Sequence, residues 1–277
     1  MARKIFDTHF HIGKWGKRKV FTCEVQPLLK EHENYKDCEI YLQENNIDKG
    51  IVVPTYLTEE PKAGLVDYNR LVLEAVDKVD NIYGGLWVSP MPADMRYTEK
   101  ILARATHSKI KVLKMSVNAW GPYTYSPKSW DKTFRYNIEC ILEFSKQHNL
   151  VTQLHTGVSD SRAFSEFLCQ YKWIGRVQFV HMGETVEGVL EFVPRFVRWI
   201  KDNFDFYCDI ALVPGFALGW IVSRLEKIEG GLNRVLFGTD APWSSFLSHY
   251  WKVESLDIDE SLKSKIFWDN AEKLYGK

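Results

Sequence analysis

Residues 4–13 read KIFDTHFHIG, with two histidines one residue apart at the end of an apolar run. If the stretch is extended, strict alternation puts Ile5, Asp7, His9 and His11 on one face and Phe6, Thr8 and Phe10 on the other. Both imidazoles then point the same way. They bring two neutral nitrogen donors to one place, as a zinc-type site often begins.

Working outward, seven further runs have the same character: KGIVVPT (49–55), IYGGLWVSP (82–90), IKVLKMSV (110–117), LVTQLHTG (150–157), RVQFVHMG (176–183), FDFYCDIAL (204–212) and RVLFGTDAPW (234–243). Several are apolar almost throughout, as parallel strands buried on both faces are. Helix-length amphipathic segments lie between them, among them 67–79, 130–148 and 187–204. Alternating strand and helix predicts an α/β domain, and a count of eight predicts a (β/α)8 TIM barrel over an open doubly wound sheet. No linker, repeat or low-complexity tract divides the chain, so residues 1–277 are expected to form a single barrel domain.

Composition narrows the function. The chain is 45% hydrophobic and 26% charged, ample for a buried core, and its 36 acidic and 36 basic side chains cancel. That balance gives no footprint for nucleic acid or an anionic membrane and points to a small-molecule partner. The five cysteines, Cys23, Cys38, Cys140, Cys169 and Cys208, are scattered and never spaced C-x-x-C. They read as reduced thiols rather than a disulfide framework. With no signal-like or membrane-length apolar run, a cytoplasmic protein is expected. Walker A, G-x-G-x-x-G, H-E-x-x-H and G-x-S-x-G are all absent.

Only eight histidines are present, and four fall at the C-terminal ends of strand-like runs: His9 and His11 on the first, His155 on the fifth and His181 on the sixth. Asp240 ends the eighth. A lone histidine is more often a hydrogen-bonded structural residue than a ligand. Here, however, a barrel would gather all five residues on the one rim where such folds keep their chemistry. A shared metal or catalytic site is the expectation.

The ordered set DTHFHIG, LHTG, VHMG and LFGTDAPW, with a terminal IFWDNAEKLYG, resembles the amidohydrolase superfamily, specifically its amidohydrolase-2 (amidohydrolase-related) branch, from residue 7 to residue 276. The resemblance implies a (β/α)8 barrel holding one divalent metal. Zinc is expected first, with manganese, iron and cobalt as alternatives. By motif match the ligands would be His9, His11, His155 and Asp240. Asp240 would also take a proton from a metal-activated water, and His181 would polarise the substrate or transfer protons. Asp7 would orient a ligand or hold a lysine. Lys114 matches the position of a lysine that bridges two metals in some branches; the expectation here is a buried cation available to a substrate carboxylate, or one paired with an acid such as Asp7. Where many relatives have glycine after the strand 6 histidine, this chain has Glu184, expected to cap the next helix or else to enter the site.

Two loops bear on the substrate. GKWGKRK (13–19) carries Lys14, Lys17, Arg18 and Lys19, either a solvated basic loop or an attraction for an anionic substrate. NAWGPYTYSPKSW (118–130) supplies Trp120, Tyr123, Tyr125 and Trp130, joined by Trp243 from the eighth run. Trp120 and Trp243 are expected to bind a flat, partly apolar ligand, with helix packing or a subunit interface as the rival reading. The reading is thus a metal-dependent hydrolase of an amide, ester or lactone. The resemblance also includes non-oxidative decarboxylases of unsaturated or aromatic acids and lactone-opening enzymes that use no metal. A non-catalytic metal-binding barrel is the alternative of another class. A homodimer is expected from family habit and the aromatic surface.

Overall fold

Eight of the apolar runs become parallel strands. The computed structural model describes residues 3–15, 18–20, 23–25, 28–55, 63–116, 130–155, 167–169 and 174–276. Barrel strands β1 (Phe6–Ile12), β4 (Lys49–Pro54), β5 (Ile82–Trp87), β6 (Ile110–Ser116), β7 (Val151–His155), β8 (Arg176–Val180), β9 (Phe206–Asp209) and β10 (Val235–Leu236) pair in chain order. Backbone bonds from Thr8 N–H to the Phe237 carbonyl (2.9 Å) and from Asp240 N–H to the His9 carbonyl (2.8 Å) link the last strand to the first. The result is a one-domain (β/α)8 barrel. The three amphipathic segments form helices Ala63–Lys78, Lys132–Gln147 and Val186–Lys201. Outside the barrel, β2 (Arg18–Val20) and β3 (Cys23–Val25) form a small antiparallel hairpin not foreseen from the sequence.

The first strand departs from simple alternation. Phe6 packs with Ile51, Val53, Val112, Val151 and Leu236 in the barrel interior, yet Phe10 and Ile12, an even number of residues further on, join the cluster between strands and helices. Pairing with β4 explains this: Asp7 sits opposite Gly50 and Phe10 opposite Val52, so β1 carries one extra residue between them. Such a bulge shifts the side-chain phase. Ile5 and Asp7 therefore do not share a face with His9 and His11, contrary to the alternation read from the sequence. Asp7 instead accepts bonds from Tyr41 Oη (2.8 Å), Thr239 Oγ1 (2.7 Å), Thr239 N–H (3.2 Å) and His9 N–H (3.1 Å). Its oxygens are committed to these donors rather than to a lysine.

After β8 the chain enters an unusual turn. His181, Met182, Gly183 and Glu184 have φ of 76°, 49°, 98° and 66°, four consecutive left-handed residues of which three carry a Cβ. Each non-glycine residue there costs about 1–2 kcal/mol. Support comes from a Glu184 N–H bond to the His181 carbonyl (2.9 Å) and from Asp209, whose Oδ1 accepts the His181 N–H (3.1 Å). The following helix is capped by Thr185, whose side chain accepts the Gly188 N–H at 3.1 Å. Glu184 does not serve as that cap.

His249 illustrates the structural role of an isolated histidine. Its Nε2 accepts the Leu212 N–H (3.0 Å) and its Nδ1 meets the Ser245 carbonyl (3.0 Å), tying the loop after β9 to the helix Phe246–Glu254. Burial pushes its pKa down to about 4. A folded-state pKa below the unfolded value contributes stability that is present above about 6.5 and lost as pH falls toward 4. The loss amounts to about 3 kcal/mol at most. His249→Gln is expected to flatten the fall in melting temperature between pH 6.5 and 4, and an unchanged slope would refute this assignment.

Candidate active site

The strand ends place a compact polar cluster at the barrel rim. Asp240, which follows β10, points Oδ1 at His11 Nε2 (2.9 Å), His9 Nε2 (3.5 Å) and His181 Nε2 (4.0 Å). Its φ of 57° is a left-handed conformation that aspartate tolerates better than most residues. Ring contacts continue the array, with centroids of His9 and His181 5.2 Å apart and of His181 and His155 4.9 Å apart.

Among the described residues, two groups could hold an ion: His9, His11 and Asp240, and His9, His181 and Asp209, each with donor atoms within 4.8 Å of one another. His155, the remaining expected ligand, lies outside both groups. Its Nε2 stands 4.0 Å from a Glu184 carboxylate oxygen. Glu184 therefore faces the site, the alternative role left open for it.

Lys114 is buried from solvent, with Nζ 3.4 Å from His9 Nε2. Burial lowers its pKa from the ordinary lysine value, and Asp209 and Asp240 draw it back up. Burial first, and the Lys114 charge second, depress the pKa of His9; burial, His155 and Lys114 do the same for His181. Both rings are held neutral, the form that ligates a metal.

Hydrogen-bond logic fixes the tautomers. His11 Nδ1 faces the Pro54 carbonyl (3.3 Å) and His181 Nδ1 the Ala211 carbonyl (3.2 Å). A carbonyl only accepts, so each Nδ1 carries the hydrogen, and in the neutral His181 ring Nε2 presents a lone pair. His11 Nε2 in turn faces the Asp240 carboxylate at 2.9 Å. With Nδ1–H already turned to a carbonyl, a carboxylate this close to Nε2 calls for a proton or a cation between them. Neutral imidazoles and a carboxylate are a donor set that suits a divalent transition metal, so these residues fit such an ion.

The amidohydrolase family model matches residues 6–277. The chain belongs to the amidohydrolase family. Members of this family are hydrolases and decarboxylases, so this amidohydrolase is an enzyme. No curated protein matches the sequence. Among solved structures, a probable 2-pyrone-4,6-dicarboxylic acid hydrolase from Acinetobacter baumannii, with citric acid bound, superposes with a TM-score of 0.71 at 15% identity, covering 99% of this chain and 100% of that one. A 5-carboxyvanillate decarboxylase from Sphingomonas paucimobilis gives 0.64 at 11% identity, with 99% of each chain covered. The corresponding decarboxylase from Novosphingobium aromaticivorans, complexed with manganese and a nitrobenzoic acid, gives 0.60 at 14% identity, covering 87% of this chain and 79% of that one. At such identities the likeness speaks for the shared barrel.

Other expected residues divide in two. Trp243 stacks edge-on against Trp15 (4.9 Å), which in turn meets the His11 ring (4.9 Å), so an aromatic wall does adjoin the cluster. Trp15 had not been singled out. Trp130 instead packs into the core against Phe134 and Phe167, the helix-packing reading of that tryptophan. Lys14 pairs with Glu33 at 3.0 Å. Trp120, Tyr123 and Tyr125, like the side chains of Lys17, Arg18 and Lys19, lie outside the described residues. Asp209, at the end of β9 and in the second of the two groups that could hold an ion, was not expected from the sequence. Its signal was the one that exposed Asp240: a carboxylate closing an apolar strand. Among the described residues, no helix is long and apolar enough to cross a membrane.

Proposed function

We propose that this amidohydrolase cleaves an amide, ester or lactone bond in a small, anionic organic substrate, using an ion held by His9, His11 and Asp240, with His155 completing the set. The observation that carries the reading is Asp240 Oδ1 at the focus of three imidazole Nε2 atoms. When bound, a divalent ion supplies Lewis acidity and lowers the pKa of water from about 15.7 to about 7. The chain's residues do the rest. Asp240 takes the proton of the attacking water. His181, with Nδ1–H engaged by the Ala211 carbonyl, has Nε2 free to receive that proton and pass it to the leaving group. Trp15 and Trp243 would hold the apolar side of the substrate.

Lys114 favours a second reading, decarboxylation of an unsaturated or aromatic acid. A buried ammonium beside His9 could hold the carboxylate that is lost. The two reactions separate by product: incubating the metal-loaded enzyme with a panel of lactones, esters, amides and aromatic acids should release acid without carbon dioxide. Carbon dioxide release with no hydrolysis of any panel member would replace the first reading with the second.

Zinc, a cytoplasmic location and a homodimer complete the proposal. The imidazole-rich donor set supports zinc, and Cys38, Cys140, Cys169 and Cys208, which form no disulfide among the described residues, suit a reducing compartment. Exposed Val186, Leu190, Phe216, Leu247 and Trp251 on three successive helices support a dimer surface. A monomer by light scattering at micromolar concentration would remove the last of these.

A further inference from the structure

We infer that Asp209 is a positioning residue that holds His9 in its metal-ligating tautomer, by accepting the His9 Nδ1–H, while it also pins the left-handed turn that presents His181. The inference rests on the proposed metal site and adds to it a residue outside the expected ligand set.

The chain of contacts runs as follows. The Lys114 ammonium can only donate, and its Nζ lies 3.4 Å from His9 Nε2, so Nε2 carries the lone pair and Nδ1 the hydrogen. His9 is fully buried, and among the described residues its Nδ1 has no hydrogen-bond partner. A buried polar atom left so is costly. The acceptor facing it is Asp209 Oδ2, 3.7 Å away and equally buried. Tilting the ring by a few tenths of an ångström toward Asp209 would close that bond.

Asp209 is itself rigidly held. Oδ1 accepts the N–H groups of His181 (3.1 Å) and Ala211 (3.1 Å), and Oδ2 accepts Gln178 Nε2 (2.8 Å). One carboxylate thus fixes both a metal ligand and the backbone of the proton-transfer histidine. Carboxylates that orient a ligating imidazole in this way raise metal affinity about 10–100-fold.

Asp209→Asn tests this while preserving shape. Its amide oxygen can still take the two backbone N–H groups, but its NH2, which gives up the bond from Gln178 Nε2, faces His9 Nδ1 and favours the opposite tautomer, with the hydrogen on Nε2 where the ion must bind. Cobalt titration followed by visible absorption should show a dissociation constant raised about 10–100-fold. In the metal-free proteins, 15N NMR of the histidines should show His9 protonated on Nδ1 in the parent and on Nε2 in the variant. Equal cobalt affinity in the two proteins overturns the inference. So does a parent His9 protonated on Nε2, a result available even if Asp209→Asn fails to fold. Cobalt that does not bind the parent at all overturns the metal-site reading, and the parent tautomer still decides whether Asp209 holds His9.

Discussion

Asp240→Asn is expected to fold like the parent and to lose turnover by about three orders of magnitude or more. Folding survives because asparagine tolerates the left-handed φ of 57° at this position. Turnover does not, because the amide neither takes the water's proton nor brings a negative charge to the focus of His9, His11 and His181. Steady-state kinetics on the substrate found by the panel, beside thermal melts, checks both halves. Turnover within tenfold of the parent would show that Asp240 is no part of the chemistry.

The second large effect concerns stability. A Cβ placed on Gly188 would lie 1.9 Å from the Gly183 carbonyl oxygen, and one on Gly183 would lie 2.3 Å from the Gly188 carbonyl carbon. Backbone is touching backbone, so no side chain can swing away to make room. Gly188→Ala is expected to cost about 3 kcal/mol or more, the upper end for an overpacked site. The damage should centre on the turn His181–Glu184, lowering activity in whatever fraction still folds. Urea denaturation measures it, and a cost under about 1 kcal/mol would show that the turn and the helix Val186–Lys201 can separate without strain.

The two glycines, His181 and Asp209 show how far the sequence could be read. Eight strands were legible because runs such as GIVVP and YGGLWV carry no charged residue at which to stop. The β2–β3 hairpin was not, since RKV and CEV are three-residue strands without an apolar run. The bulge in β1 was invisible because nothing in DTHFH marks an extra residue; it is defined only by the pairing with β4. Four of the expected site residues, His9, His11, His181 and Asp240, meet as the strand ends required. The role of Asp209 depends on partners from β8 and the turn after it, contacts that no local pattern records.

Metal content by elemental analysis tests the central claim most directly, on protein purified without added metal and beside a His9→Ala, His11→Ala double variant. The account predicts about one equivalent of zinc or a similar divalent ion in the parent, and less than about a tenth of that in the variant. Absence of metal from both proteins, even after reconstitution, would contradict it.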